Sequence, residues 1–253
     1  MNSLVVSGIL LASMICGMAV GIFLRSALPD SHLDETAKDV VKMGTGLVAA
    51  VTGLVLALLT TSAKSAYDGQ RTMLHQMSAD IVLLDRWLID FGPEGGETRI
   101  LLRKSARSFV DHLWPADAYQ PSGLDNPEFA ANATALIESI RNLPADSEPR
   151  RASKSQALQL GLELGRARWQ LHRWEDSSLP MPFLVVVDSW LTVLFLSFGL
   201  FTPRNATVIT VLFVCALSVA GAMFLIVELD QPFGGLVRIS SAPLRNALGQ
   251  LGQ

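Results

Sequence analysis

The sequence predicts an all-α, four-span membrane protein with a helical insert between its second and third spans. Three observations carry that prediction. Apolar residues make up 50% of the 253-residue chain against 17% charged, and the mean hydropathy of +0.37 is too high for an ordinary soluble domain. These apolar residues gather into four blocks whose only charge is Asp188. Between the second and third blocks, hydrophobic positions recur at helical spacing, with no alternating strand pattern of useful length. The apolar content excludes low-complexity disorder. A disulfide-rich secreted fold is excluded because Cys16 and Cys215, the two cysteines, both lie inside apolar blocks. The net charge of −3 leaves no nucleic-acid footprint.

The blocks are Leu4–Leu24, Met43–Ala63, Met181–Phe201 and Thr207–Val227. Each holds 21 residues, or about 31 Å of helix, which matches the hydrocarbon core of a bilayer. The first block has no Lys or Arg before it and exceeds the usual apolar length of a signal peptide, so it reads as a retained span. The division that follows is 1–63 for the first two spans, 64–180 for the insert, 181–227 for the last two spans and 228–253 for the tail.

Basic residues set the orientation. The first loop, Arg25–Lys42, balances three of them with Asp30, Asp34, Glu35 and Asp39, and the third loop holds only Arg204. The other 16 of the 20 lie in the insert and tail, with Lys64, Arg71, Arg166, Arg168, Arg173, Arg238 and Arg245 close to span ends. Both termini and the insert are expected to be cytoplasmic.

Within the insert, Leu74, Met77, Ile81, Leu84, Leu88 and Phe91 share one helical face. No breaker separates them from the second span, so span and insert are expected to form one long helix, ended by Gly92-Pro93. A second helix, about Thr98–Leu113, places Leu102, Ala106, Phe109 and Leu113 together. Tyr119–Pro127 reads as a loop, Pro127–Leu143 as a third helix and Pro144–Arg151 as a connector. The last helix, about Ala152–Trp174, is expected to present Leu158, Leu162, Gly165, Trp169 and His172 on one face.

Several residues invite a chemical reading. Gly46, Ala50, Gly53, Ala57 and Thr60 form a small-residue stripe on the second span, which suits either close helix packing or the lining of a pore. Gly17 and Gly21 form a GxxxG pair that reads as packing. Asp188 lies roughly 10 Å along the third span, where a carboxylate needs protein, water or a partner. It reads either as an ion-pathway residue or as a group hydrogen-bonded to a neighbour such as Ser189. Glu228 and Asp230 close the fourth span at the helix end that disfavours negative charge, so Arg238, Lys64 or a cation is expected to compensate them. Arg99, Arg103, Lys104 and Arg107 make a basic stripe that is either solvated or turned toward a vestibule or acidic lipid. His32, His75, His112 and His172 lack metal-ligand spacing, and Gly44-Thr45-Gly46 lacks the rest of a phosphate loop. No cofactor, metal or enzymatic constellation is expected, and the sequons at Asn132 and Asn205 read as incidental.

The motifs then form a recognisable set: His32-Leu33, LVLALLTTSAKSAYD (Leu54–Asp68), LLDRWLIDFGPE (Leu83–Glu94) with Arg99, FGLFTPRNATV (Phe198–Val208) and ELDQPFGGLVRISSAPL (Glu228–Leu244). The chain resembles a bacterial membrane family with a bestrophin-like domain, over nearly its whole length and most densely over its last 60 residues or so. The resemblance implies four spans, a cytoplasmic insert, and a Pro-Phe-Gly segment after the fourth span, matched by Pro232-Phe233-Gly234. It further implies a homo-oligomer, pentameric by analogy, whose second spans surround an ion path, with Pro232, Phe233 and Gly234 joining Asp188, Glu228 and Asp230 as gating candidates. Two departures limit the carry-over. Gly235-Leu236-Val237-Arg238 stands where animal bestrophins place an acidic calcium clasp, and the second span has no aromatic residue for a narrow neck. Calcium gating and anion selectivity are therefore not carried over.

The expectation from sequence is a homo-oligomeric ion channel or pore-like protein whose partners are the bilayer, further copies of itself and inorganic ions, with no nucleic acid. The alternative is a non-conducting anchor whose insert binds a partner or senses membrane state.

Overall fold

The computed structural model describes residues 2–29, 35–114, 127–176, 181–201 and 205–251. Among them are eight α-helices and no strand: α1 Ser3–Ala27, α2 Glu35–Ile89, α3 Gly96–Leu113, α4 Pro127–Asn142, α5 Glu148–Asp176, α6 Met181–Phe201, α7 Ala206–Leu229 and α8 Ala242–Gln250. The chain divides into two compact units. Met1–Ala66 with Leu179–Asp230 forms the first, and Tyr67–Ser178 with Gln231–Gln253 the second. Four helices are long and apolar enough to cross a membrane: α1, α2, α6 and α7. The second helix begins at Glu35, eight residues before the apolar block at Met43 (43 − 35 = 8). An acidic residue in a first turn complements the helix dipole, and nothing between 35 and 43 breaks the helix.

In the first unit, α1 packs on α6 and α7. The α1–α6 crossing is close because glycines face carbonyls. A β-carbon at Gly21 would lie 2.1 Å from Leu196 O, and one at Gly199 2.3 Å from Met18 O, so neither position tolerates a side chain without the helices parting. Gly17 faces Thr192 and Gly21 faces Leu196, a constant offset of 175 (192 − 17 and 196 − 21), so α1 and α6 run parallel. Leu10, Met14, Leu191, Phe195, Met223 and Ile226 fill the core between the helices. The caps are local. Asn2 Oδ1 accepts from the Leu4 N–H at 3.2 Å, and Asn205 Oδ1 from the Thr207 N–H at 3.1 Å, so the second sequon asparagine is the N-cap of α7.

In the second unit the face of α2 running from Leu74 to Leu88, with Phe91 beyond it, is buried as its spacing predicts. Past Ile89 the chain reverses through a short 3₁₀ turn, Gly92–Gly95, in which Gly92 takes φ +59°. Glycine occupies that left-handed conformation without steric cost. On α3, Leu102, Ala106, Phe109 and Leu113 are all buried.

The last insert helix departs from expectation. Helix α5 starts at Glu148, so the connector is shorter than Pro144–Arg151. Its packed face is Ala157, Leu160, Leu164, Ala167 and Leu171, with Leu158 partly buried, whereas Leu162 is 45% and Trp169 59% exposed. Ala157 and Gly161 explain the rotation. Gly161 lies against Ile137 and Ile140 of α4, a close approach that a reading weighted to large side chains passes over. The tail supplies a second departure, the helix α8, which packs on α3.

Candidate functional site

Helix α2 carries the stripe that the sequence singles out. Gly46, Ala50, Gly53, Ala57 and Thr60 are all exposed, and a β-carbon at Gly46 or Gly53 would meet no heavy atom within 4 Å. Packing within the chain thus uses Gly17 and Gly21 but leaves the α2 stripe uncovered. The α2 hydroxyls are satisfied locally: Thr52 donates to Val48 O at 2.7 Å and Thr60 to Leu56 O at 2.8 Å. A threonine bonded this way keeps oxygen lone pairs available on its outer side.

Asp188 is half-buried on α6 and accepts a hydrogen bond from Ser13 Oγ of α1 at 2.5 Å. The suggested neighbour Ser189 instead donates to Val186 O at 2.7 Å, which points it away from the carboxylate. Asp188 also lines an apolar cleft of about 300 Å³ with Asn2, Val6, Leu10 and Leu184. The carboxylate therefore sits between a helix contact and an opening.

Glu228, 1% exposed, accepts from Ser3 Oγ at 2.5 Å. Ser3 is the first residue of α1, so the carboxylate that ends α7, unfavourably for its own helix, lies beside the positive end of another. Of the expected compensators, Arg238 is exposed and its Nε donates to Gly235 O at 2.7 Å. Asp230 is the C-cap of α7, and its backbone N–H donates to Ile226 O at 3.3 Å.

The Pro232-Phe233-Gly234 segment is a docked turn. Pro232 and Phe233 are buried, the Gly234 N–H donates to Gln231 O at 3.2 Å, and the Ile239 N–H donates to Pro232 O at 2.8 Å. Phe233 meets Trp114 edge to face, with centroids 5.8 Å apart, and Trp114 Nε1 donates to Ile239 O at 2.9 Å. The tail is fastened to the C-terminal end of α3 by one aromatic pair and one backbone carbonyl, Ile239 O.

Of the basic stripe, Arg99 stands apart. Its Nε and Nη2 reach Asp85 Oδ1 and Oδ2 at 2.7 and 2.8 Å, a two-point pair between α3 and α2. The hydrogen bond to Asp85 pushes the guanidinium pKa up, burial opposes it and the charge of Asp85 adds to the rise. This arginine is a structural clasp rather than a solvated charge, while Arg103, Lys104 and Arg107 are exposed. Nearby, burial pushes the Asp80 carboxyl up, and the charge of Glu163 pushes it further.

Among the described residues no group of three or more His, Cys, Asp or Glu is placed to hold a metal ion. His32 lies outside the described residues, as does the side chain of His172. Sequence reasoning missed the Ser3–Glu228, Ser13–Asp188 and Asp85–Arg99 pairs. The last had a signal. Asp85 and Arg99 each lie seven residues from Gly92 (92 − 85 and 99 − 92), so a helical hairpin folded at that glycine brings them opposite each other.

The Bestrophin-like domain family matches residues 11–244, 234 of the 253 residues (244 − 11 + 1). The chain belongs to that family. Its fold is also that of crystallised relatives. A point mutant of a bacterial bestrophin homologue from Klebsiella pneumoniae superposes with a TM-score of 0.71 at 14% identity, covering 97% of this chain and 98% of its own. A second mutant of the homologue from that organism gives 0.67 at 14% identity, over 95% and 99%. A point mutant described as a membrane protein gives 0.69 at 13%, over 96% and 99%. At such identities the likeness is one of fold. No curated protein matches this bestrophin-like sequence.

Proposed function

We propose that this bestrophin-like chain is one subunit of a homo-oligomeric membrane ion channel, with α2 facing a shared axis and the second unit forming a cytoplasmic vestibule. The observation that carries the reading is the uncovered stripe on α2. A transmembrane helix that spends its glycines on intrachain contact resembles α1; a helix that leaves Gly46, Ala50, Gly53, Ala57 and Thr60 open has its small face available to neighbouring copies or to ions. Family membership supports a channel-like role. Orientation with both termini inside is supported by the basic residues near span ends. The Ser3–Glu228 bond supports both ends of the four-span unit lying on one side, since an even number of spans returns the chain to the side from which it started.

Protein purified as an oligomer and reconstituted in planar bilayers should pass ion current. Asp188→Asn should retain the bond from Ser13 and assemble normally while changing unitary conductance. A folded, oligomeric preparation that passes no current over a range of salts and voltages refutes the channel and leaves the membrane anchor, whose insert would then be the working part.

A further inference from the structure

Helix α3 projects Arg103, Lys104 and Arg107 into an open cleft of about 710 Å³ that Ser108, His112 and Asn132 also line. Arg103 and Arg107 line a second cleft, of about 310 Å³, whose far side carries Arg245 of α8. Asp111, common to both, is the one carboxylate among the described lining residues. Four cations therefore surround one acid.

Three arginines of this unit are spent on ion pairs: Arg99 on Asp85, Arg150 on Glu94 and Asp146, and Arg151 on Glu148. No ion pair or hydrogen bond among the described residues engages the side chain of Arg103, Lys104, Arg107 or Arg245. Like charges one helical turn apart repel, so leaving Arg103 and Arg107 together costs stability that a bound anion offsets.

We propose that this double cleft binds a small anion bearing more than one phosphate group. Guanidinium groups match phosphate oxygens two at a time, and Ser108 and Asn132 supply further hydrogen bonds at the wall. Among the described lining residues neither cleft has a Phe, Tyr or Trp on which a nucleobase stacks, and the cationic side chains favour recognition through the phosphates. One phosphate engages one or two arginines; four cations spread over two clefts that share Arg103 and Arg107 match a longer charge. The proposal does not depend on ion conduction, because binding is read without current.

The test uses the full chain in phosphatidylcholine nanodiscs, titrated calorimetrically with tripolyphosphate at constant ionic strength. Saturable binding is expected, about one per chain, with a Kd below the millimolar range. Arg103→Gln with Arg107→Gln should weaken it by at least about tenfold, and Arg245→Gln should also weaken it. Replacing both α3 arginines by lysine should cost less, which separates lost charge from lost fold, as do unchanged melting curves. A parallel arm measures retention of phosphatidic acid in mixed nanodiscs by native mass spectrometry. Tripolyphosphate binding identifies a soluble ligand. Retention of the phosphomonoester lipid without tripolyphosphate binding overturns the proposal, because a single phosphate then suffices. Failure of both probes to bind, or glutamine variants that bind as the parent does, overturns the site.

Discussion

Replacing Asp85 with Asn removes the charge that holds Arg99 while leaving the shape of the side chain. The two contacts are 2.7 and 2.8 Å long, and the side chains are 9% and 27% exposed for Asp85 and Arg99. Breaking a fully buried pair from one side costs about 3–5 kcal/mol. An exposed pair is worth about 0–1 kcal/mol. With Arg99 a quarter exposed, the expected loss lies between these limits, at about 2–3 kcal/mol. For a unit of this size that is about 5–10 °C in the thermal midpoint. Circular dichroism or tryptophan fluorescence melts in nanodiscs, at one fixed scan rate, measure it. The double change Asp85→Leu with Arg99→Met should recover most of the loss, since two apolar side chains leave no charge stranded. A single Asp85→Asn variant that melts with the parent would show that the two-point contact does not hold the α2–α3 hairpin, and the reasoning would fail.

Three further outcomes are expected. Burial and Glu163 raise the Asp80 pKa in the folded chain, so the folded state holds that proton more tightly than the unfolded one; stability falls as pH rises from the ordinary value of 3.8 through the raised one. Asp80→Asn should therefore raise the melting midpoint at pH 7, with the gain fading as pH drops toward 4, as parallel melts across pH will read. Gly21→Leu, which drives a side chain into the Leu196 carbonyl of α6, should prevent stable assembly, whereas Gly53→Ala on the open α2 stripe meets no atom and should not lower the melting midpoint of the detergent-solubilised chain, the better helix former raising it slightly. Trp114→Phe keeps an aromatic ring against Phe233 but loses the donor to Ile239 O; it should cost about 1 kcal/mol and speed proteolysis of the tail.

The fold was legible where burial is periodic or continuous. Four charge-poor blocks had to be helices, because a continuous apolar stretch of that length satisfies its backbone in lipid only as a helix, and the uninterrupted run from Met43 to Phe91 announced a helix longer than a bilayer. Legibility failed where small residues decide packing. Ala157 and Gly161 turn α5 away from the face that Leu162 and Trp169 suggested, because close approach is favoured by what a side chain lacks. The polar pairs of the membrane unit were hidden for another reason. Ser13 and Asp188 are 175 residues apart, and only the glycine register between α1 and α6 makes them neighbours. At the basic stripe, spacing grouped Arg99 with Arg103 and Arg107, but the turn at Gly92 assigns Arg99 to Asp85.

The bond between Ser3 and Glu228 has a bearing on how the protein is made. Its two ends are separated by 225 residues, so the first leaves the ribosome long before the second. Until α7 enters the membrane, the start of α1 lacks the carboxylate that complements it, and α1 and α6 can dock through their glycines with that flank still open. Insertion of α7 brings the carboxylate to α1 and closes the unit. A nascent chain arrested before Glu228 should therefore hold its first span loosely and be open to quality-control proteases, and release of the arrest should protect both ends in a single step.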